Sequence, residues 1–148
     1  MMKTISDKTT RDELIQRIRR LNENATVQWG KMNVHQMVRH CSLSEEMLLG
    51  KTKYKRNWMG FLFGKIALKG IMKNEKPMMR NSPTVPELKV KETGLFETEK
   101  ARWISLVEEH AHLPRPEILH PFFGKMTKEQ IDYLVYKHTD HHLRQFNS

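Results

Sequence analysis

Two histidines four residues apart on one face of a predicted helix are the residues best placed to do chemistry. Ile131, Leu134 and Val135 have helical spacing, and His138 and His142 continue the same apolar stripe. Residues at i and i+4 of a helix lie about 5–6 Å apart at Cβ, so both imidazoles can point at one place. A buried polar group without a partner costs about 1–3 kcal/mol, and imidazole is the commonest metal ligand. The stripe therefore indicates a metal site.

A third ligand is needed, because zinc sites usually have three protein ligands or more. His40 is the candidate, since it lies at the margin of the apolar face of a second predicted helix. If the chain folds back on itself, this helix packs against the one that carries His138 and His142. Such a site would keep one coordination position for water or substrate.

Three neighbouring residues are secondary candidates. His141 borders the same stripe and competes as a ligand, but His142 continues the apolar line more directly. Gln145, seven residues after His138, is placed to hydrogen-bond near the site. Thr139 occupies the position at which the His-Glu-x-x-His motif has its glutamate base, so the sequence disfavours a protease-type mechanism.

The other polar residues have simpler interpretations. His35, His110 and His112 are expected to be solvated or structural, and Asp140 to form a surface ion pair with Arg144 four residues later. Backbone carbonyls or carboxylates can also satisfy buried histidines, so a structural histidine cluster is the open alternative to a metal site.

Four helices are predicted to position these side chains. Their start signals are, in chain order, Thr10 and Asn33, a position near Thr98, and Thr127. Their stop signals are residues 22–24, Gly50, and the pair Pro114 and Pro116. No β-alternation of useful length appears, so the fold class is all-α, a helical bundle. In the long crossover between the second and third helices, residues 58–72 are a candidate extra helix, followed by a proline-rich extended stretch.

Composition predicts a single domain over residues 1–148. The net charge of +9 suits an acidic partner, but no nucleic-acid-recognition motif accompanies the basic residues, which are densest over residues 51–91. A solvated basic surface is favoured. No apolar targeting segment and no membrane span are recognised, so we expect a cytoplasmic protein. Cys41 is the single cysteine, which excludes an intrachain disulfide, and its helical position indicates burial.

Two segments resemble a known superfamily. Residues 29–40 (WGKMNVHQMVRH) resemble the second-helix signature of the DinB/YfiT-like superfamily, which includes metalloenzymes, and residues 138–145 (HTDHHLRQ) resemble its last-helix His-x-x-x-His signature. Residues 83–87 and the stretch that begins at His120 are similar to an uncharacterised branch of that superfamily. The resemblance extends over nearly the whole chain.

The resemblance implies an up-down four-helix bundle, often a homodimer, with one divalent metal ion held by three histidines. The matching positions are His40, His138 and His142, and zinc or nickel is the implied metal. Relatives include transferases and an isomerase that use low-molecular-weight thiols. They commonly read His-Arg-Gly-Gln after the last ligand, whereas this chain reads His-Leu-Arg-Gln from His142, so their particular reaction is not carried over.

The sequence patterns together with this resemblance imply three functions. The first is a metal-dependent thiol transferase or hydrolase, with His141 and His120 as candidates for the general base. The second is a non-catalytic metal-binding or stress-response protein that dimerises through residues 58–72. The third is a peripheral binder of anionic lipid or nucleic acid. The basic residues that would drive this third function are Lys51, Lys53, Lys55, Arg56, Lys65 and Lys69.

Overall fold

The described residues form a predominantly helical structure. The computed structural model describes residues 2–112 and 117–148. Within these ranges, the elements are α1 (Lys8–Arg20), α2 (Val34–Leu48), α3 (Trp58–Met72), α4 (Phe96–Glu109), β1 (Glu117–His120), β2 (Gly124–Thr127) and α5 (Lys128–Gln145). Two short 3-10 turns, Pro86–Leu88 and His110–His112, lie before and after α4.

The helices that carry the histidines, α2 and α5, both begin with the predicted capping boxes. The Asn33 side chain accepts a hydrogen bond from the Gln36 N–H, and the Gln36 side chain accepts one from the Asn33 N–H. Thr127 and Gln130 form the same reciprocal pair at α5. Each box satisfies two N–H groups that a helix start otherwise leaves without partners. These predictions are confirmed, and they set where both ligand-bearing helices begin.

The first helix begins earlier than predicted. Asp7 is its N-cap, and the Asp7 carboxylate accepts a hydrogen bond of 2.7 Å from the N–H of Thr10. Thr10 therefore lies inside the first turn of α1, where it is buried, and the predicted capping box at Thr10 is wrong. The aspartate places the same type of cap one turn upstream.

The boundaries of α4 differ slightly from the prediction. It begins at Phe96, two residues before Thr98, without a capping side chain but with two glutamates in its first turn that interact favourably with the helix dipole. The helix ends at Glu109 and continues into the 3-10 turn. Its predicted stop signals, Pro114 and Pro116, lie outside the described residues.

Residues 58–72 form α3, which confirms the candidate helix. It packs through a ridge of small residues, because Gly60 and Gly64 lie against the backbone of Phe122 in the β1–β2 turn. A Cβ at either glycine would overlap the Phe122 carbonyl oxygen. Leu68, one turn further along, is buried on the same side. The other side of α3 faces away from the protein.

A β-hairpin is the main departure from the sequence-based prediction, which contained no strand. β1 and β2 pair antiparallel, with Ile118 opposite Met126. Each strand has only four residues, too few for alternating hydrophobicity to be recognised. Arg56 donates hydrogen bonds to three carbonyl oxygens of the turn, those of residues 120–122. The hairpin leads directly into α5 and thereby sets the entry point of that helix.

The core lies among α1, α2, α4 and α5, which are in contact as a closed ring: α1 with α4, α4 with α2, α2 with α5, and α5 with α1. Trp103, Val38 and Val135 are fully buried in it. Cys41 is also fully buried, as predicted. The broad all-α prediction is therefore confirmed. Of the helices in the described ranges, none is both long and apolar enough to cross a bilayer.

The glycine ridge of α3 generates a stability prediction. We expect Gly64→Ala to lower the free energy of unfolding by about 1–3 kcal/mol, the usual cost of overpacking, because the new Cβ meets backbone. The matched control is Gly70→Ala in the same helix, where nothing lies within 4 Å of an added Cβ. That change should raise stability by about 0.5–1 kcal/mol. Urea unfolding measures both, and equal effects would contradict this packing.

Candidate metal centre

Three imidazole rings meet between α2 and α5. The Nε2 atom of His138 lies 3.2 Å from Nε2 of His40 and 3.2 Å from Nε2 of His142. Each residue offers a donor nitrogen, and these three atoms all lie within 4.8 Å of one another. The predicted convergence of the second and last helices on this point is confirmed. Over residues 2–112 and 117–148, this is the one group of three or more His, Cys, Asp or Glu side chains that comes so close.

Hydrogen bonds on the far side of two rings determine which nitrogen carries the proton. His40 Nδ1 lies 2.9 Å from the carbonyl oxygen of Leu88, which can only accept, so His40 is protonated at Nδ1. His142 Nδ1 lies 2.8 Å from Oε1 of Gln145. The Gln145 amide nitrogen donates to the carbonyl of Trp29 at 2.9 Å, which leaves Oε1 to accept from His142. Both rings therefore direct an Nε2 lone pair at the cluster.

His138 cannot satisfy this arrangement by itself. It can donate an Nε2 proton to one of the two lone pairs and not to both. Its Nδ1 is shielded from solvent and has no hydrogen-bond partner among the described residues. If the proton moves to Nδ1, three lone pairs face one another. Three nitrogen lone pairs that converge on one point, with too few protons to lie between them, are the ligand set that a divalent cation fits.

Burial keeps the three imidazoles neutral. His40 is 3% exposed and His142 is 6% exposed, while His138 is partly exposed. Removal from water lowers the pKa of His40 and lowers that of His142 to about 3. The pKa of His138 is well below its ordinary value, first because of burial and then because of the neighbouring histidines. Neutral imidazole is the form that binds a metal, so protons do not compete for the site near pH 7.

The secondary candidate His141 lies beside the trio, outside it. Its ring packs edge-on against His142, with centroids 5.1 Å apart, and against Trp29 at 5.5 Å. Burial lowers the pKa of His141. The residue lines an open groove of about 420 Å³, together with Trp29, Arg80 and Arg144. His141 thus connects the histidine cluster to a groove on the surface.

His120 has a different environment at the end of β1. Its Nδ1 accepts hydrogen bonds from the N–H groups of Phe122 and Phe123, at 3.0 and 3.1 Å. Burial, with a smaller contribution from the Arg56 charge, lowers the pKa of His120 to about 4. The neutral ring therefore carries its proton on Nε2 and can act there only as a donor.

Sequence reasoning missed the backbone groups that orient the rings. Neither the Leu88 carbonyl nor the Trp29 carbonyl has a side-chain signature. The sequence held one signal, the glycine at position 30. Gly30 has φ +83°, and a Cβ there would come within 2.9 Å of the Gln145 amide nitrogen. A glycine after Trp29 thus permits the close approach of Gln145, whose side chain hydrogen-bonds both His142 and the Trp29 carbonyl.

Two polar side-chain pairs nearby are structural. His110 is buried, and its Nε2 lies 2.7 Å from a carboxylate oxygen of the fully buried Glu45. Asp140 pairs with Arg144 as predicted, but it is 7% exposed and also binds Arg17 of α1 at 2.6 Å. The pair itself was predicted, but its predicted exposure at the surface is wrong, because α1 packs over this side of α5 and covers the carboxylate.

The fold and the site define a helical protein with a candidate three-histidine metal centre. The chain belongs to a protein family of unknown function (DUF1569), whose family model matches residues 6–148. Neither the curated proteins nor the solved structures contain a match to this chain.

The depressed histidine pKa values generate a pH prediction for metal-free protein. His120 and His142 are neutral when folded down to about pH 4 and about pH 3, whereas in the unfolded chain histidine titrates at about 6.5. The unfolded state therefore binds more protons between these values, and stability is complete above about pH 6.5 and is lost as the pH falls. We expect the free energy of unfolding, measured with urea and a chelator, to fall by more than about 1.4 kcal/mol per pH unit near pH 5. A flat profile between pH 7 and pH 4.5 would contradict it.

Proposed function

We propose that this protein binds one divalent metal ion through His40, His138 and His142 and uses it as a metal-dependent transferase or hydrolase. The observation that carries the proposal is the cluster itself, in which two Nε2 lone pairs face the Nε2 of His138 at 3.2 Å. In a purely structural histidine cluster, each ring nitrogen lone pair in the cluster would be expected to accept a hydrogen bond from an N–H group. Here, His138 can donate its single Nε2 proton to only one of the two facing lone pairs, and the lone pair left without a proton supports a metal instead.

The donor set bears on the kind of metal. Three neutral imidazoles suit zinc or nickel better than magnesium or calcium, which prefer oxygen ligands. Three protein ligands are typical of catalytic zinc sites, which keep a position for substrate. The partial exposure of His138 is consistent with access to that position. The resemblance to the DinB/YfiT-like superfamily, with its up-down four-helix bundle, favours the same interpretation, and the ring of contacts among α1, α2, α4 and α5 is compatible with it.

When bound, a divalent cation supplies Lewis-acid chemistry and lowers the pKa of a water or a low-molecular-weight thiol toward neutrality. The chain contributes orientation, because the Leu88 carbonyl and Gln145 hold two of the rings. His141 is the better candidate for the base, since burial keeps it neutral and it borders the groove. His120 is less suited, because its Nδ1 lone pair already accepts two backbone hydrogen bonds.

A second candidate is a non-catalytic metal-binding or stress-response protein with the same ligands. Three histidines can bind a metal ion in a protein that catalyses no reaction. Among the described residues, the cluster includes no carboxylate that could act as a base. With either candidate, we keep a single domain over residues 1–148, a cytoplasmic location and a homodimer as proposals. Analytical ultracentrifugation at micromolar concentration tests the homodimer, which a monomer would contradict.

Metal content tests the ligand assignment. We expect untagged wild-type protein to hold close to one equivalent of zinc or nickel after reconstitution and dialysis, measured by elemental analysis. His142→Ala should lose at least about 90% of it, because two imidazoles rarely hold a structural or catalytic ion. Gln145→Leu should leave all three histidine ligands in place but weaken the affinity for the metal about 10–100-fold, since it removes the group that orients His142.

The matched control is His112→Ala, an exposed histidine away from the cluster, which should bind like wild type. Circular dichroism of each variant checks that the helices persist. Wild-type protein that takes up neither metal would overturn the proposed site and leave a structural histidine cluster.

Turnover separates the two candidates. With the metal-loaded protein, we expect thiol transfer to electrophiles or ester hydrolysis to fall about 10²–10⁴-fold in His141→Gln, the usual contribution of a general base, while metal content stays unchanged. The readout is product formation over a panel of small thiols, electrophiles and esters. Activity that persists in metal-free His142→Ala would rule out the metal-dependent enzyme, and metal binding without turnover across the panel would favour the non-catalytic candidate.

A further inference from the structure

We propose that the outward face of α3 is a docking surface for an anionic lipid bilayer, a role separate from the proposed metal chemistry. This face, called the α3 surface below, carries a continuous set of large apolar side chains. Their exposed fractions are 70% for Trp58, 45% for Met59, 61% for Leu62, 51% for Phe63 and 72% for Ile66. Single exposed apolar residues are ordinary, but a contiguous patch on one helix marks an interaction site.

The way α3 is held explains why this face is presented outward. Gly60 and Gly64 lie directly against the β1–β2 turn, and Leu68 is buried on the same side. Asn57 caps the helix start, its side chain accepting from the N–H of Met59 at 2.8 Å. The side of α3 that carries the glycines is therefore fixed against the protein. The helix axis lies along the protein surface, and the opposite side, which carries the large apolar residues, faces solvent. That is the geometry of an interfacial helix.

The positive charge of the chain is concentrated in the segment of sequence that contains α3. Nine of the 26 lysines and arginines fall within residues 51–80, where Glu75 is the single acidic residue. The rest of the sequence is almost neutral, with seventeen basic and sixteen acidic residues. On α3 itself, Lys65 and Lys69 are exposed and no acidic residue is present, and the C-cap residue Lys73 is exposed as well.

This charge decides between the possible occupants of the α3 surface. A second copy of the chain would bring together two strongly positive segments, each with Glu75 as its single acidic residue, and like charges in contact are destabilising. A homodimer would therefore use another face. A nucleic acid would satisfy the lysines through its phosphates, but it would leave Leu62 and Ile66 in water. An anionic bilayer satisfies both parts, since lysines interact with lipid headgroups and the apolar side chains enter the headgroup and acyl boundary. Tryptophan, here Trp58, is enriched at that depth.

Vesicle binding tests the proposal. We expect wild-type protein to co-sediment with vesicles of phosphatidylserine and phosphatidylcholine at low salt, to bind pure phosphatidylcholine at least tenfold more weakly, and to be released by added salt. The fluorescence of Trp58 should shift to the blue on binding, because this side chain is 70% exposed in the free protein. Trp58→Phe should remove the shift and retain binding.

Two paired variants separate the contributions of charge and apolar area. Lys69→Gln with Lys73→Gln should lower partitioning about 30-fold, since each lysine near an anionic surface contributes about 1 kcal/mol and 1.4 kcal/mol is tenfold. Leu62→Ser with Ile66→Ser should lower it at least tenfold. Because all four side chains are exposed, the variants should fold, which circular dichroism checks.

Matched controls use exposed residues outside the α3 surface. Leu95→Ser with Leu119→Ser, at 79% and 65% exposure, and Lys31→Gln with Lys91→Gln should bind vesicles like wild type. Equal loss in the controls would overturn the proposal. So would a dimer by ultracentrifugation that the Leu62 and Ile66 changes dissolve, or binding to DNA but not to vesicles.

Discussion

The imidazole cluster places the strongest demand on the rest of the structure. Three rings, two of them buried and one partly exposed, must present Nε2 atoms to one point, and His138 Nε2 lies 3.2 Å from both of its neighbours. Nitrogen lone pairs at that distance repel one another unless a proton or a cation lies between them. The rings can be held there only if their other nitrogens are fixed, which the Leu88 carbonyl does for His40 and Gln145 does for His142. Removing those partners would leave the rings free to turn away.

Several separate elements of the fold position these three rings. α2 and α5 start at capping boxes that define their register, and the hairpin before α5 sets where that helix enters the core. The 3-10 turn that ends at Leu88 brings a carbonyl to the back of His40, 48 residues away in sequence. The Trp29 carbonyl reaches Gln145 across 116 residues. The crossover between α3 and α4 is therefore part of the site, and its irregular backbone has a definite role.

A second organising feature is the concentration of positive charge in one segment of the chain. The segment of residues 51–80 carries eight of the nine net positive charges of the chain, and its helix meets the rest of the protein through glycine and Leu68. Close glycine packing holds the first half of α3 and Leu68 holds the second, which leaves Trp58, Leu62 and Ile66 exposed for another surface. The metal centre, by contrast, is lined by neutral groups whose pKa values burial lowers. The two regions can thus serve different interactions within one chain.

Much of this protein follows from local sequence patterns. The capping boxes at Asn33 and Thr127, the helix at residues 58–72 and the histidine stripe on α5 are all short-range signals, because helix geometry depends on neighbours within about four residues. The Asp7 cap of α1 and the hairpin before α5 are also local, but the prediction placed the cap at Thr10, and strands of four residues are too short to show alternation. Only the tertiary structure decided that Asp140 is covered by Arg17. That outcome depends on a contact between residues far apart in the chain, and the backbone carbonyls that orient the imidazoles carry no mark in the sequence at all.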